Sequence, residues 1–208
     1  MTSTKKSLMA SGVALLASVA LLAGTTFAWF TDSVTNAGNR IQAGSLDIDL
    51  LQLADTLNDG QIAAIGEENI PSDGTYIGIA DVEAPIFDYD LWEPGYSLPV
   101  VFQIKNNGSL ALRYQLDVVA QGGISALAEV IDVYLKSGND PISTAPARMD
   151  EAELLADGFV NAGTLADILE SGAAATGHLL AQESDYAALV LHMQEDAGND
   201  YQGLSIGT

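Results

Sequence analysis

No cysteine occurs in the 208-residue chain, which excludes disulfides, thiolate metal sites and cysteine nucleophiles. Stability outside a cell must then come from core packing or assembly. Basic residues are scarce as well: seven Lys and Arg stand against 28 Asp and Glu, a formal charge of −21. Such a surface repels nucleic acid and anionic lipid, so nucleic-acid binding leaves the list of functions. Histidine occurs only at His178 and His192. A hydrolytic zinc site draws about three protein ligands and an open water position, and neither histidine stands in an H-E-x-x-H helix. The G-x-S-x-G elbow, the G-x-x-x-x-G-K-[ST] loop and the G-x-G-x-x-G turn are missing too, which removes the oxyanion or phosphate cradle that acyl transfer and nucleotide chemistry need. There is no repeat of fixed period and no low-complexity tract.

What is present begins with an export signal. Lys5 and Lys6 form a short cationic segment ahead of the uncharged apolar stretch from Leu8 to Ala23. That stretch falls a little short of the roughly 20 residues that span a bilayer, and no basic stop-transfer cluster follows it. The pattern reads as a signal peptide over residues 1–28, with retention as a membrane anchor the competing reading. Thr26-Phe27-Ala28 puts small residues three before and directly before a cut, so cleavage between Ala28 and Trp29 is expected. Residues 29–208 then carry all 28 acidic side chains against five basic ones, a formal charge of −23. Residues 29–44, rich in Thr, Ser and Asn after two aromatics, have no helical stripe; they form either a disordered leader or an extended arm that finds a partner sheet.

From residue 45 onward the pattern has period two. Leu46, Ile48 and Leu50 alternate with acidic residues as in a strand with one wet face. Asp55 to Ala84 is poorly periodic and reads as a long loop with a short strand near Tyr76 to Ile79. Glu93-Pro94-Gly95 has turn chemistry. Val100, Phe102 and Ile104, then Leu110, Leu112, Tyr114, Leu116 and Val118, give two alternating runs; Asn106-Asn107-Gly108-Ser109 between them predicts a β-hairpin. Ile131, Val133 and Leu135 mark another strand. Residues 139–182 change character, with helical turns at Glu151 to Ala156 and at Thr164 to Leu169, the second with an approximate capping box from Thr164 to Asp167. This stretch reads as a helical insertion. Ala187, Leu189, Leu191 and Met193 then alternate with Ala188, Val190, His192 and Gln194. Together these predict an all-β, antiparallel, jelly-roll-like β-sandwich over residues 45–208. Leu204 to Thr208 looks like the start of a last, truncated strand.

Three segments carry a resemblance. Thr26-Phe27-Ala28-Trp29-Phe30-Thr31-Asp32 with Ala43-Gly44-Ser45-Leu46-Asp47-Ile48, then Trp92-Glu93-Pro94-Gly95 running into Phe102 to Leu110, then Asp196 to Leu204, resemble in order the TasA/camelysin family of bacterial exported proteins. The resemblance implies processing by a dedicated signal peptidase just before the aromatic pair, and a secreted place in the extracellular matrix or at the cell surface of a bacterium. It implies a subunit of biofilm fibres that assemble by donor-strand complementation, with the membrane met only in transit through the signal peptide. The assembly arm would include Trp29, Phe30, Thr31, Val34 and Ile41, and a minor co-expressed subunit could nucleate the filament.

The camelysin branch implies an alternative, a cell-surface metalloendopeptidase. No ligands can be nominated for it: His192 and Glu195 fall on opposite faces of a strand, and His192 reads as a surface residue, His178 as a loop residue. Asp55 to Gly60 and Asp196 to Asp200 are oxygen-rich but lack EF-hand spacing, and the pairs Asp47/Asp49 and Asp88/Asp90 read as solvated carboxylates. The expectation is therefore a protein without catalytic residues, bound metal or cofactor.

Overall fold

Both faces of the strand β8, Ser184–Met193, are apolar, and the two faces enter two different cores. Ala187, Leu189, Leu191 and Met193 join one cluster, with Val100, Phe102, Ile104, Ile131 and Val133; Ala188 and Val190 join the other, with Leu53, Val101, Tyr134, Leu154 and Phe159. Only a strand in the middle of a sheet covered on both sides needs that composition. The computed structural model describes residues 45–146, 149–172, 174–201 and 203–206. In that part the chain is mostly β, all of its strand pairings are antiparallel, and its helices are few and short.

The strands are β1 Ile48–Leu53, β2 Tyr76–Gly78, β3 Ser97–Asn106, β4 Leu112–Leu116, β5 Ile131–Gly138, β6 Val160–Thr164, β7 Ala175–Leu179 and β8. Six of them form one sheet in the order β2-β1-β3-β8-β5-β6, and β4 and β7 form a second, two-stranded sheet. The strands predicted between residues 46 and 194 are present, but the predicted hairpin is not: β3 pairs with β1 and β8, while β4 pairs with β7. The reason lies in Asn106. Its side chain donates to the carbonyls of Leu110 and Leu180 at 2.8 and 2.9 Å and accepts from the Gly108 amide. These bonds turn the chain out of the large sheet instead of closing a tight turn. Gln182, at φ 65°, donates from its amide to the Asn107 and Gly108 carbonyls and holds the return strand at the same corner. The antiparallel ribbon of β3 with β8 is thus continued, past one corner, by the ribbon of β4 with β7.

The stretch read as a loop holds a helix, α1 Asp59–Ile65, with short 3₁₀ turns at Ala54–Thr56 and Glu67–Asn69. Its signal was the capping box of Asn58 with Gln61, each side chain bonded to the other's backbone amide; Gly60 and the two alanines hid the apolar stripe. Gln61 is fully buried and makes a reciprocal amide pair with the equally buried Gln52 of β1, at 2.8 and 3.3 Å. Gln52 also donates to the Thr56 carbonyl at 2.7 Å, so the buried amides are satisfied, as burial demands.

The two helical turns expected within 139–182 are α2 Glu151–Ala156 and α3 Leu165–Ser171, and the Thr164–Asp167 capping box is present. The Thr164 hydroxyl and amide hold the Asp167 carboxyl below the usual carboxylate range. The same stretch also supplies β6 to the large sheet and β7 to the small one, so it is woven into both layers. At Glu93-Pro94-Gly95 the Tyr96 amide bonds to the Glu93 carbonyl at 2.9 Å with Gly95 at φ 77°, which is a type II turn. Leu204 and Ser205 are irregular and Ile206 lies in a bend, so no final strand starts among the described residues there.

Candidate assembly surface

An extended segment can add to a sheet only where a strand offers unpaired N–H and C=O groups. The large sheet ends in β2, three residues long, and in β6, whose pairing with β5 is bulged and which contains Gly163 at φ 107°. Short and bulged edges are the usual protection against unwanted pairing. The small sheet differs: among the described residues it has two strands facing a six-stranded partner. Its inner face is built by Tyr114, 8% exposed, and Leu179, 1% exposed, both in the first core.

Tyr114 fixes that layer. Its register partner on β7 is Gly177, and a Cβ on Gly177 would lie 2.3 Å from the tyrosine ring. The ring therefore occupies the space a side chain would take. Its hydroxyl donates to the Asp185 carboxylate on β8 at 2.9 Å, which ties the small sheet to the large one.

The expected cleavage residues Ala28 and Trp29, and the arm residues Phe30, Thr31, Val34 and Ile41, lie outside the described residues, as does the whole signal segment. The described part begins where the arm would end, and that point is firmly held. The Asp47 carbonyl accepts from the Asn107 and Gly108 amides at 2.7 and 3.2 Å, and the Ser45 carbonyl accepts from the Ser109 amide at 2.9 Å. Asp49 accepts from the Asn107 side chain. The chain entering β1 is thus fastened to the corner that feeds β4. None of Asn106, Gly108, Tyr114 and Gly177 stood out in the sequence as functional; an Asn-Asn-Gly run read as a hairpin was the only trace.

His192 is corrected from a surface residue to a buried one, 2% exposed, at the end of β8. Its Nδ1 lies 2.8 Å from the Ser97 hydroxyl, which in turn donates to the Met149 carbonyl at 2.8 Å. The single hydroxyl proton is spent on the carbonyl, so His192 carries the proton at Nδ1 and donates to Ser97. A serine held that way is a clamp on the 139–150 segment and cannot be activated as a nucleophile by this imidazole. His178 is corrected from a loop to the strand β7, where it is exposed and registers with Arg113. The two histidines stand on different sheets. Among the described residues no three His, Asp or Glu side chains are grouped as metal ligands. In the oxygen-rich stretch at Asp55, the aspartate faces the Gly74 amide and Asn58 caps α1; Asp196 to Asp200 runs through a turn into a 3₁₀ turn at Asn199–Tyr201.

Three tyrosines hold their protons unusually well. Burial raises Tyr76, to about 12; burial and then the bond to Asp185 raise Tyr114; burial raises Tyr134, whose hydroxyl has no hydrogen-bond partner among the described residues. A folded-state pKa above the unfolded value of 10.0 means the native state binds more protons in that window. Stability is therefore fully present below about pH 10 and falls as pH rises through the folded values. Thermal melts at stepped pH should show a flat plateau to about pH 10 and a steep decline above it, with Tyr76→Phe flattening part of the decline. Equal slopes in that variant and the parent would remove Tyr76 from the account.

Among the described residues no helix is long and apolar enough to cross a membrane. Comparison with protein-family models, with characterised proteins and with solved structures gives no match.

Proposed function

We propose that this chain is a secreted structural protein, the subunit of an extracellular fibre, and that it assembles by donating the segment after its signal peptide to the sheet of the next subunit. The observation that carries this reading is the inequality of the two sheets, two strands opposite six among the described residues. A layer so narrow leaves room for an added strand. The resemblance to the TasA/camelysin family at Thr26 to Asp32 supports it, as does the arm's position directly upstream of a fixed corner.

We read the two sheets with their folded ribbon as a jelly-roll-like β-sandwich whose smaller layer has two strands among the described residues. Removal of the signal peptide frees the arm at Trp29; until then it stays tethered to the membrane. Trp29 and Phe30 anchor the contact, because buried aromatics contribute the largest apolar area per residue. A head-to-tail contact of this kind propagates into a filament unless rotation closes a ring.

The test is negative-stain microscopy and N-terminal sequencing of protein from the culture medium. Filaments made of a chain starting at Trp29 are expected. Deleting Trp29 to Asn36 should leave a folded monomer that does not polymerise; normal filaments from that deletion would refute strand donation.

A further inference from the structure

Asn107 carries a reactive arrangement that the fold holds in check. Of the chain's asparagines only this one is followed by glycine. In such a pair the glycine amide nitrogen can attack the asparagine side-chain carbonyl carbon, and with no Cβ on the glycine that approach is unhindered. The side-chain nitrogen departs as ammonia, taking up the proton that the attacking amide gives up, and a five-membered succinimide remains. Water then opens the ring at one of its two carbonyls, giving aspartate or, with the main chain rerouted through the side chain, isoaspartate. Water is the only co-reactant.

Both reacting groups are restrained in the folded chain. The attacking nitrogen belongs to Gly108, which is buried, and its N–H donates to the Asn106 side-chain oxygen at 2.9 Å and to the Asp47 carbonyl at 3.2 Å. Attack requires that proton to be lost, so two acceptors holding it oppose the reaction. The target is fixed as well: the Asn107 side-chain amide donates to the Asp49 carboxylate, and its backbone amide donates to the Asp47 carbonyl at 2.7 Å. The Ser45 carbonyl closes the same contact by accepting from the Ser109 amide. Asp49 stands 58 residues away in sequence from the side chain it holds. The protection is therefore lent by a distant segment and lasts only while that segment is docked.

We propose that Asn107 is a self-modification site gated by the docking of Ser45 to Asp49: with the segment in place the corner is inert, and once the segment comes away Asn107 deamidates and the corner does not close again as before. The products account for this one-way character. Aspartate puts a carboxylate where an amide had donated to Asp49, so an attraction becomes a repulsion between like charges. Isoaspartate also lengthens the main chain by a methylene, which moves the Gly108 and Ser109 amides out of step with the Asp47 and Ser45 carbonyls. Either product holds the segment less well than the amide did. The corner thus records whether the chain entering β1 has ever come undone. This inference is independent of the fibre reading, since it needs only the contacts around Asn107.

The test incubates the full chain at mildly alkaline pH, with and without urea, and follows conversion by peptide mass mapping and isoaspartate content. In urea Asn107 should convert well ahead of the other asparagines, and in the native chain its conversion should slow by about fivefold for each hydrogen bond that must open first. Asp49→Ala, a change at an exposed position that frees the Asn107 side chain, should raise the native rate about fivefold while the amides of β8 stay protected. Asn107→Asp, which installs one of the products directly, should speed amide exchange at Ser109 and leave β8 unchanged. A native chain that converts as fast as the chain in urea, an Asp49→Ala rate equal to the parent's, or conversion in urea spread evenly over the asparagines would overturn the gated site. Unaltered exchange at Ser109 in Asn107→Asp would overturn its one-way character.

Discussion

Gly177→Ala is expected to cost about 3 kcal/mol, toward the upper end for an overpacked core, and to lower the melting temperature by roughly 10 °C for a domain of this size. The added methyl would stand 2.3 Å from carbon atoms of the Tyr114 ring. A flexible side-chain tip could swing aside, but this ring is buried at 8% exposure among core residues and is held at its far end by the bond to Asp185. Moving it breaks that bond and opens the layer that the small sheet forms. The strain should depend on the ring, so a double-mutant cycle decides: in a Tyr114→Ala background the Gly177→Ala change should cost far less. A Gly177→Ala protein within about 0.5 kcal/mol of the parent, the range of ordinary surface substitutions, would refute the account.

Gly177 also shows what the sequence could and could not tell. The alternation at Ala187 to Met193 sorts residues onto the faces that enter the two cores, because period-two patterning is a local property of a strand. The Thr164–Asp167 and Glu151 to Ala156 signals place α3 and α2 for the same reason, since caps act within one turn. Which strand pairs with which is not local. Asn106 to Ser109 has hairpin composition, yet the outcome is set by Leu180, Gln182, Ser45 and Asp47, all distant in the chain. β3, whose two edges are already taken by β1 and β8, cannot also pair with the next strand, so the chain must leave the sheet.

Buried polar residues were missed on similar grounds. Gln52, Gln61 and His192 look like surface residues in a list of hydropathies, and only their partners make burial tolerable. The expected cleavage point at Ala28 and Trp29 and the arm that follows it lie outside the described residues. The inequality of the two sheets, six strands against two among the described residues, is encoded by no single run of residues.

Gly108→Ala is expected to be nearly as damaging, for a different reason. A Cβ there would lie 2.1 Å from the Ser45 carbonyl oxygen and 2.9 Å from the Asp47 amide nitrogen, both backbone atoms with no rotamer to yield. The space, not the backbone angle, excludes the side chain, since Gly108 is not among the glycines at positive φ. The segment from Ser45 to Asp47 must detach from the corner, with loss of the bonds to Asn107, Gly108 and Ser109. At about 1 kcal/mol for each bond, the cost is roughly 3 kcal/mol. Gly123, with nothing within 4 Å, is the control, and Gly123→Ala should be close to neutral. Because the loss is local, amide exchange should accelerate at Asn107 and Ser109 while β8 remains protected. Unchanged exchange at those two amides would refute the corner's role. The same substitution separates architecture from assembly: it leaves Trp29 and Phe30 intact but releases the point from which the arm departs. Under the proposed assembly, a protein that stays folded yet forms fewer filaments than the parent would give the corner a part in fibre growth, and filaments in normal number would deny it one.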